Sequence, residues 1–268
     1  MWQFDASAPI VTAARSVAAE QQRRGITPEQ HALPPTMVAT FQDAAYARLL
    51  ERAEVAADAR DPVDRPGGIG SRNVNAIGLA GGRPVRLTRL TVGAPATANS
   101  LETAIARGVR DILVVGSAAS IQPRLRVGGV VVVASASRED GTSHHYLPAA
   151  APAVADPDLT AMLEAAAGTR GATPLCGRSW TTDAPYRIGV DGLRRHRDAG
   201  DLVIEMEAAV IFAVAAVRGA RAGLIVAVSD EVDDEWTPAF SHPSYLAALE
   251  QAADVVIDVA SRLAGHVR

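Results

Sequence analysis

Three uninterrupted apolar runs constrain this chain more than any other feature: ILVV at 112–115, GVVVVAS at 129–135 and AGLIVAV at 222–228. None alternates apolar with polar residues, as a strand with one wet face would. A strand built from such a run needs cover on both faces. Helical or small-residue segments separate the runs, so the pattern predicts parallel central strands with helices on both sides, an α/β fold.

The rest of the chain is ordered around them. Residues 8–25 have helical spacing and stop at Gly25, so residues 1–32 read as an N-terminal helical arm. A proline break at 34–35 leads into a first strand ending near Phe41, and a helix is expected over 43–56. DARDPVDRPGGIGSR at 58–72 is the expected long loop. Segments 73–79 and 85–92 predict a hairpin about Gly81 and Gly82, and further helices are expected over 99–107, 157–167, 193–199 and 244–263. No internal repeat divides the sequence, so one domain over 1–268 is the simplest reading.

At 48% hydrophobic and 21% charged residues the chain reads as globular, and a net charge of −4 with scattered Arg leaves no footprint for nucleic acid or a membrane surface. Cys176 is the one cysteine, which excludes an internal disulfide or a cysteine-based metal cluster. With no apolar stretch of bilayer length and no secretion-signal order at the N-terminus, a cytoplasmic protein is expected.

Two acidic positions lie in apolar surroundings. Glu205 and Glu207 flank Met206 at the mouth of an Ala/Val-rich helix, and Ser229 and Asp230 directly follow the third run. Side chains just past the carboxyl end of a buried strand face the ligand crevice of an α/β sheet. A carboxylate beside Met and Ala suits a sugar hydroxyl, and one opening a helix gains from its positive end. The residues alone leave open an ordinary helix start followed by an acidic turn. Other chemistries lack their signatures: no GxGxxG follows a strand, neither Ser117 nor Ser229 sits in a GxSxG elbow, and the adjacent His144 and His145 have no metal-ligand spacing. No metal and no cofactor are expected.

Four segments in order, GSAASIQPRLRVGGVVV at 116–132, DGTSHHYLP at 140–148, EMEAA at 205–209 and VSD at 228–230, resemble the nucleoside phosphorylase superfamily. The resemblance implies a mixed central sheet, partly barrel-like and flanked by helices, and a homo-oligomer (dimer, trimer or hexamer). It implies cleavage of a nucleoside N-glycosidic bond, with inorganic phosphate as co-substrate. Glu205, Met206 and Glu207 would hold the ribose, and Asp230 would be the catalytic acid facing the base. Ser229, Tyr186 and Arg187 would complete the base site, with Trp180 as a further stacking wall and Trp236 as a cap. Ser117 would hold phosphate or water, and His145, or His144, would sit near a subunit interface. The Gln/Arg loop of uridine phosphorylases is missing after Tyr186, so a purine-type base is expected. The phosphate-binding arginines are missing too: Val114 stands where one belongs, and Arg48, Arg72 and Arg187 are the spare cations. That gap keeps a nucleoside hydrolase as the alternative, and a non-catalytic nucleoside-binding relative as another.

Overall fold

A computed structural model describes residues 4–55, 74–233 and 235–263. Thr12 caps helix α1 (Ala13–Arg24) by accepting from the Arg15 N–H, and Gly25 ends it in the left-handed conformation at φ 63°. After the short α2 (Pro28–His31) come strand β1 (Thr36–Thr40) and helix α3 (Asp43–Arg52). The hairpin forms as expected from β2 (Val74–Ala80) and β3 (Arg83–Arg89), with Gly81 and Gly82 both at positive φ, as the tight turn requires. Then follow α4 (Ala94–Ala106), β4 (Asp111–Ser120), β5 (Val130–Glu139), β6 (Ala153–Val154), α5 (Pro157–Thr169), β7 (Leu175–Thr182) and α6 (Val190–Asp198). The last elements are β8 (Val203–Glu205), α7 (Ala208–Arg218), β9 (Arg221–Val232), β10 (Trp236–Pro238) and α8 (Pro243–Arg262). The loop expected at 58–72, and Arg72 with it, lies outside the described residues.

Strand pairing runs from β4 to β9, β5, β7, β8 and back to β4, closing a five-stranded barrel from which β1, β3 and β2 extend as an open wing. The three apolar runs are β4, β5 and β9, but they are not all parallel. β4 is parallel to β9, whereas β5 is antiparallel to β9. The expectation of parallel central strands is corrected here to a mixed sheet. An uninterrupted apolar run reports burial on both faces, and burial is indifferent to strand direction.

Alternate residues of each buried strand feed different cores. Ile112, Val114, Val131, Val133, Leu224 and Val226 face α4 and α7. Leu113, Val115, Val130, Val132, Ile225 and Ala227 face α3, α5 and α8. Helix α7 is buried along Ala208–Ala215, which explains its lack of a polar face. No helix among the described residues is long and apolar enough to cross a membrane.

On the outer face, α8 is tied to its neighbours through Asp254, whose oxygens accept from Arg48 Nε and Nη2 (2.8 and 2.9 Å) and from Arg170 Nη1 (2.9 Å). Arg170 and Arg52 also reach Asp258. Asp254→Ala leaves Arg48 with the exposed Glu51 and crowds Arg52 and Arg170 on Asp258, and we expect a loss of about 2 kcal/mol in urea unfolding, because the arginines are partly solvated. An unchanged midpoint would show that Asp258 alone holds the cluster.

Candidate active site

The barrel ends and the loops above them enclose a cavity of about 530 Å³, whose lining includes Ser117, Glu205, Met206, Glu207, Ser229 and Asp230. Residues expected from distant parts of the sequence are thus brought to one place. Glu205 is the last residue of β8 and pairs in register with Thr181 of β7. Its Oε1 accepts from Thr181 Oγ1 (2.5 Å) and Ser179 Oγ (3.1 Å). Its Oε2 accepts from the backbone N–H groups of Glu207 and Ala208, both at 2.6 Å, where α7 begins. Glu205 therefore receives four donors, two of them at the positive end of a helix.

Glu207 caps α7 and is 7% exposed, and its Oε1 accepts from the Gly93 N–H at 2.6 Å, just ahead of α4. Gly93 has φ 109°, a conformation that side-chain-bearing residues rarely adopt. Burial pushes the Glu207 carboxyl up, the nearby Glu205 adds to the rise, and the Gly93 N–H opposes it, leaving the group at about 8. Burial also pushes Glu205 up, against its donors from Thr181, Ala208, Glu207 and Ser179. Of two buried carboxyls this close, the one with four donors carries the charge, and Glu207 keeps the proton at neutral pH.

Ser229 and Asp230 lie inside β9, not beyond its end as the sequence suggests. Ala118 of β4 pairs with Val228 and Ala119 pairs with Asp230, so Ser229 is the extra residue of a β-bulge. A bulge re-aims the side chains that follow it, and here both Ser229 and Asp230 reach the cavity. Asp230 Oδ1 accepts from Ser229 Oγ at 2.6 Å and Oδ2 from Trp236 Nε1 at 2.7 Å. Trp236 thus borders the cavity, as expected of a cap, and it also ties down the acidic group.

Ser117 accepts from Gln42 Nε2 at 2.9 Å and shares a hydrogen bond with Tyr245. Burial pushes the Tyr245 phenol up, the Ser117 bond opposes this, and the charge of Asp230 adds to the rise. Gln42, Tyr245, Thr181 and Gly93 were not singled out by sequence reasoning. The signal for Thr181 was available, since Ser179 and Thr181 are two apart on a strand and so face the same way.

Several expected site residues stand elsewhere. Tyr186 reaches the cavity at its rim, 92% exposed. Arg187 is exposed and does not line the cavity, so a base-binding role has no support from its position. Arg48 is committed to Asp254 on the outer helical face, which removes it as a phosphate ligand. Trp180 stacks on His196 (4.0 Å between centroids) and donates to Glu139, packed in a core patch behind the cavity, so it is not a wall for a base. His144 meets Arg138 in a short turn and His145 beside it is exposed; neither lines the cavity. Among the described residues the lining carries Glu205, Glu207, Asp230, Asp233 and Glu235, and no Arg, Lys or His.

Comparison with known proteins agrees with this geometry. Residues 42–262 match the phosphorylase superfamily. A uridine phosphorylase of Haemophilus influenzae is 29% identical over 201 residues, 70% of this chain and 79% of the relative. A uridine phosphorylase of Thermococcus kodakarensis is 33% identical over 186 residues, 63% of this chain and 66% of the relative. A guanosine phosphorylase of Halorubrum lacusprofundi is 36% identical over 137 residues, 51% of this chain and 57% of the relative. With the matched region running from the end of β1 through α8 and taking in every residue that builds the cavity except Phe41, the chain belongs to the phosphorylase superfamily.

Proposed function

We propose that the chain cleaves the N-glycosidic bond of a nucleoside by phosphorolysis, giving free base and ribose 1-phosphate. The observation that carries this reading is the convergence of Glu205–Met206–Glu207, Ser229–Asp230 and Ser117 on one cavity. Glycosidic cleavage passes through an oxocarbenium-like sugar, which needs the ribose gripped, the base assisted as it leaves and a nucleophile beneath the anomeric carbon. Glu207 and Met206 serve the ribose, Asp230 serves the base, and Ser117 with Gln42 offers a hydroxyl and an amide to the nucleophile, with Tyr245 holding Ser117 from behind the lining.

The base we propose is of purine type. Among the described residues the cavity around Asp230 presents Glu235, and Asp233 paired with Arg197, acceptors that suit a base rich in N–H groups, and no guanidinium lines it to bind two carbonyl oxygens of a pyrimidine. Most of the similar proteins are uridine phosphorylases, which favours uracil instead. A second reading concerns the nucleophile: a cavity lined by carboxylates and no described cation holds phosphate poorly and water well, which favours hydrolysis.

One assay separates these. The purified chain is incubated with guanosine, inosine, adenosine and uridine, with and without phosphate, and base and sugar products are followed by chromatography. Phosphate-dependent release of a purine with ribose 1-phosphate is the expected result. Release of uracil alone would overturn the base assignment, release without phosphate would make the reaction hydrolytic, and no release from any nucleoside would overturn catalysis.

A further inference from the structure

Both oxygens of Asp230 are occupied without a ligand, and the two donors differ in kind. Ser229 is 2% exposed and its hydroxyl also reaches the Ala118 carbonyl at 3.3 Å, so it belongs to the floor of the strand. Trp236 is 54% exposed, lies at the cavity edge on β10, and leans on Phe240 with ring centroids 6.2 Å apart. Strand β10 pairs with the bulged end of β9, Trp236 opposite Val232 and Pro238 opposite Asp230, which carries the indole back over the carboxylate. Of the two donors, the indole is the one that can leave.

Both oxygens of Asp230 already accept a hydrogen bond, so a group that takes the place of either donor must bring an N–H or O–H of its own. An indole is a five-membered ring bearing an N–H and fused to a six-membered ring, the outline of a free purine base offering the imidazole N–H that it carries once its bond to the sugar is broken. Trp236 thus fills the place and makes the bond that a base would.

We propose that Trp236 is a plug of the base subsite: its indole N–H occupies the position on Asp230 that the N–H of the free base takes, and the base displaces it. This inference rests on the cavity being the nucleoside site. It makes Trp236 a determinant of which free base the site holds, because a base that cannot offer Asp230 a hydrogen of its own fails to compensate the bond it breaks. The displaced indole, still tethered beside Phe240, closes the mouth of the cavity over the bound base.

The test compares the intact chain with Trp236→Phe, which keeps an aromatic face and removes the N–H. Hypoxanthine, guanine and uracil are titrated into each protein by calorimetry, and tryptophan emission is recorded alongside. For whichever base binds the parent chain, the Phe variant is expected to bind about ten-fold more tightly, because no internal donor competes. The emission change on binding is expected in the parent and absent in the variant, where Trp2 and Trp180 remain as the background. Equal or weaker binding by the variant, or no emission change at saturation of the parent, overturns the plug while leaving the site reading intact. Absence of binding by all three bases to both proteins overturns the plug, and if the chain also releases no base from any nucleoside the site reading falls with it.

Discussion

At pH 9 a Glu207→Gln variant is expected to unfold at a higher temperature than the parent chain, and at pH 4 the two are expected to unfold nearly alike. The Glu207 carboxyl lies at about 8 in the folded chain against an ordinary value of 4.5, raised first by burial and then by the charge of Glu205. A carboxyl whose folded value is raised contributes stability that is fully present below about 4.5. That contribution falls as the pH climbs to about 8, because the unfolded chain releases its proton first, and it levels off above. The rise from 4.5 to about 8, at about 1.4 kcal/mol for each pH unit, corresponds to on the order of 5 kcal/mol at alkaline pH. A glutamine carries no charge to bury, and its carbonyl oxygen still accepts from the Gly93 N–H. Thermal unfolding of the ligand-free protein followed by circular dichroism from pH 4 to pH 9 measures the divergence. A constant offset between the two proteins across that range would mean that Glu207 titrates alike in the folded and unfolded chain, with no shift on burial.

The acidic pair was legible in the sequence for a physical reason: a buried helix such as α7 has no packing use for two carboxylates at its mouth. Which of the two bears the charge was not legible, because Ser179 and Thr181, 26 and 24 residues away from Glu205, decide it. Distance along the chain hides other features in the same way. Arg48 looks like a spare cation until Asp254, 206 residues on, takes its guanidinium. Trp180 looks like a wall for a base until His196 folds against its face. The bulge at Ser229 depends on register with β4, more than a hundred residues earlier, so a local pattern shows only an apolar run followed by two polar residues. Burial of the central strands, by contrast, is written into each strand's own residues and emerged without partners. Their direction depends on the connections between them, and the sequence pattern was silent on it.

Replacing Asp230 by Asn is expected to lower kcat by about 10²- to 10⁴-fold while the fold survives. Asparagine has the same outline but one oxygen and one amide. The Trp236 N–H can only donate, so the side-chain oxygen must face it, and the amide turns to Ser229, whose hydroxyl rotates to accept. Each partner is still satisfied, and the stability cost is held to about 1 kcal/mol. What disappears is the acidic group at the base. Electron density moves into the base as the glycosidic bond breaks, and the carboxyl that would meet a ring nitrogen there, by donating a proton or pairing with a protonated ring, has become an amide that does neither well. Because the ribose contacts proposed for Met206 and Glu207 lie elsewhere in the cavity, KM is expected to change far less than kcat. Steady-state kinetics on whichever nucleoside the parent cleaves gives the split directly. A kcat within a few-fold of the parent would move the departing base away from Asp230, and the role of that carboxylate would then reduce to anchoring Trp236.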